Sequence, residues 1–158
     1  MTGRDASAVA RGPTAADPAL RAFLAGVTEG ARRFMGGDPG PWLANASRAD
    51  DVLILGAWGG WERGWPAAEA RYRWAAARFA GGEAKLDLTP LGVFEGPDLA
   101  VTVAVERATV RIAGQADPAP MALRVTHVLR REDGDWRLVL RHAAPLVGRT
   151  APDAVPER

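Results

Sequence analysis

Residues 121–143 read MALRVTHVLRREDGDWRLVLRHA, two alternating runs joined through Asp133-Gly134. Apolar residues at every second position bury one face of a strand, and Asp-Gly adopts the left-handed backbone that a two-residue hairpin turn needs. Centring the turn there sets Arg131 opposite Trp136, Leu129 opposite Leu138 and His127 opposite Leu140. One face then carries Val125, His127 and His142 among aliphatic residues, and this face is expected to meet the core. The other collects Arg124, Thr126, Val128, Arg130, Arg137, Val139 and Arg141. The side-chain period is two, so a slip of one residue would exchange the faces of a strand.

The same patterning extends upstream. Lys85–Val93 and Leu99–Ile112 alternate as well, with turn chemistry at Glu95-Gly96-Pro97-Asp98 and at Gly114–Pro120. Together these runs predict a four-strand antiparallel meander. The expected register adds Val101, Val103 and Val105 to the inner face and Ala100, Thr102, Ala104 and Glu106 to the outer one. Ahead of the meander, Asp17 and Pro18 open a helix with Leu20, Phe23, Leu24, Val27, Ala31 and Phe34 at helical spacing, which Gly36-Gly37 ends. A short helical turn carries Trp42. Val52–Leu55 reads as a short buried strand, and residues 57–64 as a glycine-punctuated strand or turn. Pro66 opens another helix, with Trp65, Ala68, Tyr72, Ala75, Ala76 and Phe79 on one side. Helices followed by a meander give an α+β fold, the helices packed against one side of a curved sheet. The domain is placed at residues 17–147, between a disordered lead (1–16) and a flexible tail (148–158).

Composition narrows the function. In 158 residues, 20 Lys+Arg against 19 Asp+Glu leave a net charge of +1, which argues against nucleic acid as a partner. The absence of cysteine removes thiolate metal sites and thiol nucleophiles, and two histidines are too few for an all-protein metal centre. No metal and no cofactor are therefore expected. The only serines, Ser7 and Ser47, sit in no nucleophile elbow, and no phosphate loop or dinucleotide fingerprint is present. No run approaches the ~20 apolar residues that span a bilayer, so no membrane association and a cytoplasmic location are the expectation. Six tryptophans stand against one tyrosine, and Trp58, Trp61, Trp65 and Trp74 fall close together, as at a core edge, an interface or a ligand pocket.

Several phrases carry a resemblance. Asp50-Asp51-Val52 with Leu55-Gly56 is followed by Gly59-Gly60 and the Glu62, Gly64, Trp65 helix entry. Later come Gly96-Pro97-Asp98-Leu99-Ala100, Arg124-Val125-Thr126-His127-Val128, and Asp133-Gly134 with Trp136 and Arg141-His142. In this order, from about Asp17 to about Leu146, the chain resembles the nuclear transport factor 2-like, or SnoaL-like, superfamily and its ketosteroid-isomerase-homologue branch. The resemblance implies a cone-shaped sheet around the N-terminal helices, an apolar pocket open at one end, and a homodimer. Ketosteroid isomerases pair an aspartate base with a tyrosine and an acid that donate to an oxyanion. Tyr72, the only tyrosine, matches no such position, so that mechanism is not carried over. The ending Trp136…His142 also resembles the association domain of calmodulin-dependent kinases, which assembles without catalysis.

Candidate site residues follow from these faces. His127 is the candidate proton shuttle and Asp51 its orienting group or base, though each could equally be structural: a core histidine and a turn-capping carboxylate. Trp58, Trp61, Glu62, Tyr72, Val103 and His142 are placed at a ligand pocket. Glu106, Arg124, Thr126 and Arg141 are placed on the outer face, at a homodimer interface. The expected function is binding of a small apolar or aromatic molecule. Cofactor-independent proton transfer (isomerase, cyclase, dehydratase or hydrolase) stays open, as does the alternative of a non-catalytic ligand-binding or oligomerisation module.

Overall fold

The computed structural model describes residues 12–82 and 84–149. Helix α1 (Pro18–Met35) begins where the Asp17 side chain accepts from the Ala19 N–H at 2.9 Å, with proline in the first turn. It stops at Gly36, whose N–H returns to the carbonyls of the last turn, and Gly37 takes φ 95°. The short helix α2 (Gly40–Asn45) and strands β1 (Leu53–Leu55) and β2 (Glu62–Arg63) follow. Gly64, at φ 82°, turns the chain into α3 (Trp65–Ala76). The remaining strands are β3 (Lys85–Glu95), β4 (Leu99–Val110), β5 (Ala119–Glu132) and β6 (Asp135–Pro145). All six form one curved, unclosed sheet in the order β2-β1-β6-β5-β4-β3, with β1 parallel to β6 and every other pairing antiparallel. The expected α+β architecture is the one observed. Leu20 and Val27 of α1, Trp42 and Leu43 of α2, and Leu129 and Leu138 of the sheet close the core between the layers.

The β5–β6 turn forms as the Asp-Gly pair dictates, with Asp133 at φ 52° and Gly134 at φ 85°. Arg131 faces Trp136 and Leu129 faces Leu138, but the register then shifts between Val128 and Leu129. Val139 is the extra residue, so Val128 pairs with Leu140, His127 with Arg141 and Thr126 with His142. A bulge of this kind moves every later side chain of its strand to the opposite face. Arg141 therefore turns inward, and His142 is exposed on the outside.

Strand β4 also departs from expectation. Ala100, Thr102, Ala104 and Glu106 pair with Leu129, His127, Val125 and Leu123, and so lie on the inner face. Val101, Val103 and Val105 lie outside, opposite Val128, Thr126 and Arg124. Just ahead of α1, Ala15 is buried, and Glu95 accepts from the backbone N–H groups of Ala16 (2.6 Å) and Asp17 (3.0 Å). Residues 1–11 of the expected lead and 150–158 of the expected tail lie outside the described residues. Among the described residues, no helix is long and apolar enough to cross a membrane.

Candidate functional site

The bulge puts a guanidinium where aliphatic packing would otherwise continue. Arg141 Nη1 donates to Glu106 Oε1 at 3.0 Å, and its Nη2 donates to Glu106 Oε2 at 2.8 Å. Nη1 also lies 2.8 Å from His127 Nε2. An arginine only donates, so Nε2 must accept and the imidazole proton resides on Nδ1. Burial, reinforced by the Arg141 charge, pushes the His127 pKa down to about 3, and the ring is neutral at physiological pH. Burial alone would push the Glu106 carboxyl up, but attraction and hydrogen bonding from Arg141 outweigh it and hold the group below its ordinary value. The trio is thus an ion pair plus a neutral ring, with no net charge.

Arg141 forms part of the wall of a cavity of about 460 Å³. The rest of that wall is mostly apolar, supplied by α1, α2, α3 and the far ends of β4, β5 and β6, with Phe34, Trp42, Trp58, Tyr72, Phe79 and Met121 prominent. The rings brace one another: Phe34 lies 6.1 Å from each of Trp42, Tyr72 and Phe79, and Trp42 lies 5.7 Å from Tyr72, centroid to centroid. The Arg141 guanidinium stands 5.1 Å from the Trp42 ring centroid. Burial pushes the Tyr72 phenol up to about 12, against the opposing pull of Arg141.

One side of this cavity is built from stacked side chains. Trp58 packs 5.8 Å from both Trp74 and Phe79, and Trp74 lies between the guanidinium groups of Arg71 (4.1 Å) and Arg78 (4.2 Å). Arg71 also lines the cavity and donates to the Gly59 carbonyl at 3.1 Å, which ties the glycine loop to α3.

Of the residues expected at a site, Trp58 and Tyr72 line this cavity and His127 lies on the inner face beside it. The others fall elsewhere. Asp51 is half exposed, and two hydrogen bonds from Arg130 (2.7 and 3.0 Å) hold its carboxyl below the ordinary range, so it does not meet His127. Trp61 is 71% exposed and outside the cavity. Glu62 faces Arg71 at 3.7 Å without lining the cavity. His142 belongs to the outer face, and Val103 pairs on that face but also borders a smaller, separate cavity between α1 and β3–β5, while Glu106 and Arg141, expected at an interface, are interior. Arg124 and Thr126 do lie on the outer face. The sequence reading missed Trp42, Phe34, Phe79 and Arg141 as lining residues. The one signal for Arg141 was an arginine inside an otherwise aliphatic run.

A family model described as a SnoaL-like domain matches residues 43–148. Solved structures similar to this chain include a nuclear transport factor 2 (NTF2-like) superfamily protein from Salmonella enterica serovar Typhimurium. That structure is 19% identical with TM-score 0.67, and the match covers 85% of this chain and 99% of that one. A ketosteroid isomerase-like protein from Erwinia carotovora atroseptica is 15% identical with TM-score 0.66, over 82% of this chain and 95% of that one. A protein of unknown function with a cystatin-like fold from Nostoc punctiforme is 19% identical with TM-score 0.61, over 85% and 94% respectively. At these identities the likeness is one of fold. No curated protein matches the chain significantly.

Proposed function

The chain belongs to the SnoaL-like domain family, and we propose that it acts by binding a small, neutral, largely aromatic molecule in the cavity that Arg141 enters. The observation that carries this reading is the unfinished hydrogen bonding of that arginine. Its Nη1 protons go to Glu106 and His127 and one Nη2 proton goes to Glu106, leaving Nε–H and one Nη2–H without a partner among the described residues. Arg141 Nε is open to the solvent of the cavity, and a ligand oxygen would accept there in place of water. The charge of Arg141 is already balanced by Glu106, so the complementary group is a carbonyl, lactone or phenol rather than a carboxylate. Aromatic walls, their rings packed edge-on or tilted against one another, suit a flat body.

Binding without chemistry is favoured over proton transfer. A general base must present a lone pair to the ligand near the working pH. His127 spends its Nε2 lone pair on Arg141, Asp51 is committed to Arg130 at the surface, and Tyr72 holds its proton. The test is tryptophan fluorescence quenching by 2-acetylnaphthalene and by 2-naphthoate. The ketone should bind at least about tenfold more tightly than the acid, a difference of ~1.4 kcal/mol. Ala75→Phe, which fills the cavity from α3, should abolish the effect while the thermal melt stays cooperative. Tighter binding of the carboxylate, or quenching unaffected by Ala75→Phe, would overturn the reading.

A second observation supports self-association. Phe94, Val101, Val128, Leu140 and Leu53 pair across five strands into one apolar row on the outer face. Phe94 is 65% exposed, and Leu99 on the same face is more than half exposed. We infer that this row, with Arg124 and Thr126 beside it, meets a second copy of the chain.

A further inference from the structure

Glu106 and His127 open away from the aromatic cavity. On their far side, between α1 and strands β3, β4 and β5, lies a separate cavity of about 290 Å³, near the lower end of the ~300–1,000 Å³ of small-molecule pockets. The two cavities have one lining residue in common, Ala31, and the Arg141–Glu106–His127 trio divides them.

The second cavity has a different chemistry. Leu24 and Val27 of α1, Leu86 and Val93 of β3, and Val125 of β5 make an aliphatic wall with no Phe, Tyr or Trp ring among the lining residues. Its polar side chains are Glu106, His127, Thr14, Thr28, Thr102 and Arg21, whose Nη1 donates to the Ala15 and Ala16 carbonyls at 3.0 and 2.9 Å. Glu106 has both oxygens engaged by Arg141. Thr28 gives its hydroxyl proton to the Leu24 carbonyl at 3.0 Å. His127 is held by Arg141 in the tautomer protonated at Nδ1, and no hydrogen bond reaches Nδ1 among the described residues. His127 Nδ1 therefore offers a fixed donor to a mostly aliphatic hollow, whose one lining cation, Arg21, is engaged by the Ala15 and Ala16 carbonyls.

We propose that this second cavity is a ligand site in its own right, taking a small neutral molecule with an aliphatic body and one acceptor oxygen, such as a methyl ketone, lactone or ester, whose oxygen accepts from His127 Nδ1–H. The site stands independently of the aromatic cavity, because its donor, walls and volume are its own. Arg141 contributes indirectly, by fixing which imidazole nitrogen carries the proton.

The experiment is long-range proton–nitrogen NMR of the histidine rings in the full chain, titrated with 2-octanone and separately with octanoate. The ketone should produce a saturable shift at His127 Nδ1, and octanoate should not. Ala75→Phe, which fills the other cavity, should leave the response intact, so failure of the aromatic site does not affect this result. Ala104→Leu, which fills the second cavity from β4, should weaken the response at least tenfold. If Ala104→Leu does not fold, the wild-type titration still decides the matter. The absence of a saturable shift at His127, an equal response to octanoate, or a response abolished by Ala75→Phe would each overturn the proposal.

Discussion

His127 presents an unprotonated nitrogen to a guanidinium, and that pairing makes stability depend on pH. The ring titrates near 6.5 when unfolded and at about 3 in the native state, because burial first and Arg141 second oppose its charging. Between those values the unfolded chain binds a proton that the native chain refuses, so stability is complete above about pH 6.5 and declines as pH falls toward 3. Glu106 acts in the same direction at lower pH: its contribution is present above about 4.5 and is lost as pH falls further. Asp51 lies at the surface and adds little. From pH 7 to pH 5, urea denaturation should show a loss of ~2 kcal/mol, most of it from His127. In His127→Gln the amide oxygen can still accept from Arg141 but does not titrate, so at least half of that loss should vanish. A wild-type stability that is flat across this range would contradict the buried neutral histidine.

At the scale of elements, the entry to α1 does more than cap a helix. Asp17 accepts from Ala19 N–H, from Arg131 Nη2 at 2.6 Å and from Trp136 Nε1 at 3.4 Å, while Glu95 holds the two preceding amides. One carboxylate thus joins the helix start to the β5–β6 hairpin. Asp17→Ala should cost ~1–2 kcal/mol in chemical denaturation at pH 7, the range for losing an N-cap with a partly exposed ion pair. Asp17→Asn keeps the cap without the charge and should fall between. A cost below about 0.5 kcal/mol for the alanine variant would show that the junction is held elsewhere. The same hairpin marks how far the sequence could be read. Asp133-Gly134 specifies its turn chemically, so the first two cross-strand pairs were legible. Nothing in Leu138-Val139-Leu140 reveals the extra residue, and beyond it the expected faces were reversed for Arg141 and His142. Strand β4 was ambiguous for another reason: Ala100, Thr102 and Ala104 leave room for the helix and the second cavity, whereas the valines lie outside. Alternation identifies the inner face only when the outer one is polar. Tyr72 followed from helical spacing and Trp58 from the tryptophan cluster. Trp42 looked like simple packing, because its role depends on a strand paired far along the chain.

The whole molecule presents its apolar row on the face opposite the cavities, so assembly and ligand binding should be separable. Burial of apolar surface contributes ~25 cal/mol per Å², and a charge in the middle of the row removes that gain. Light scattering should find a dimer for the wild type and a monomer for Phe94→Asp with Val128→Asp, with ketone binding preserved. A wild type that remains monomeric at ~100 µM, where an association of micromolar strength would be evident, would remove the interface. Two charge reversals sharpen the point, since simple alternation puts both on one surface. Arg124→Glu alters the outer face and should shift the monomer–dimer balance while leaving the unfolding midpoint nearly unchanged. Arg141→Glu sets a second carboxylate against Glu106, whose side chain is 3% exposed, and should cost ~3–5 kcal/mol, the range for breaking a buried ion pair. Unfolding curves should therefore separate the two variants even where light scattering does not. An Arg141→Glu protein as stable as the wild type would mean that the guanidinium is not enclosed, and the wall between the two cavities would go with it.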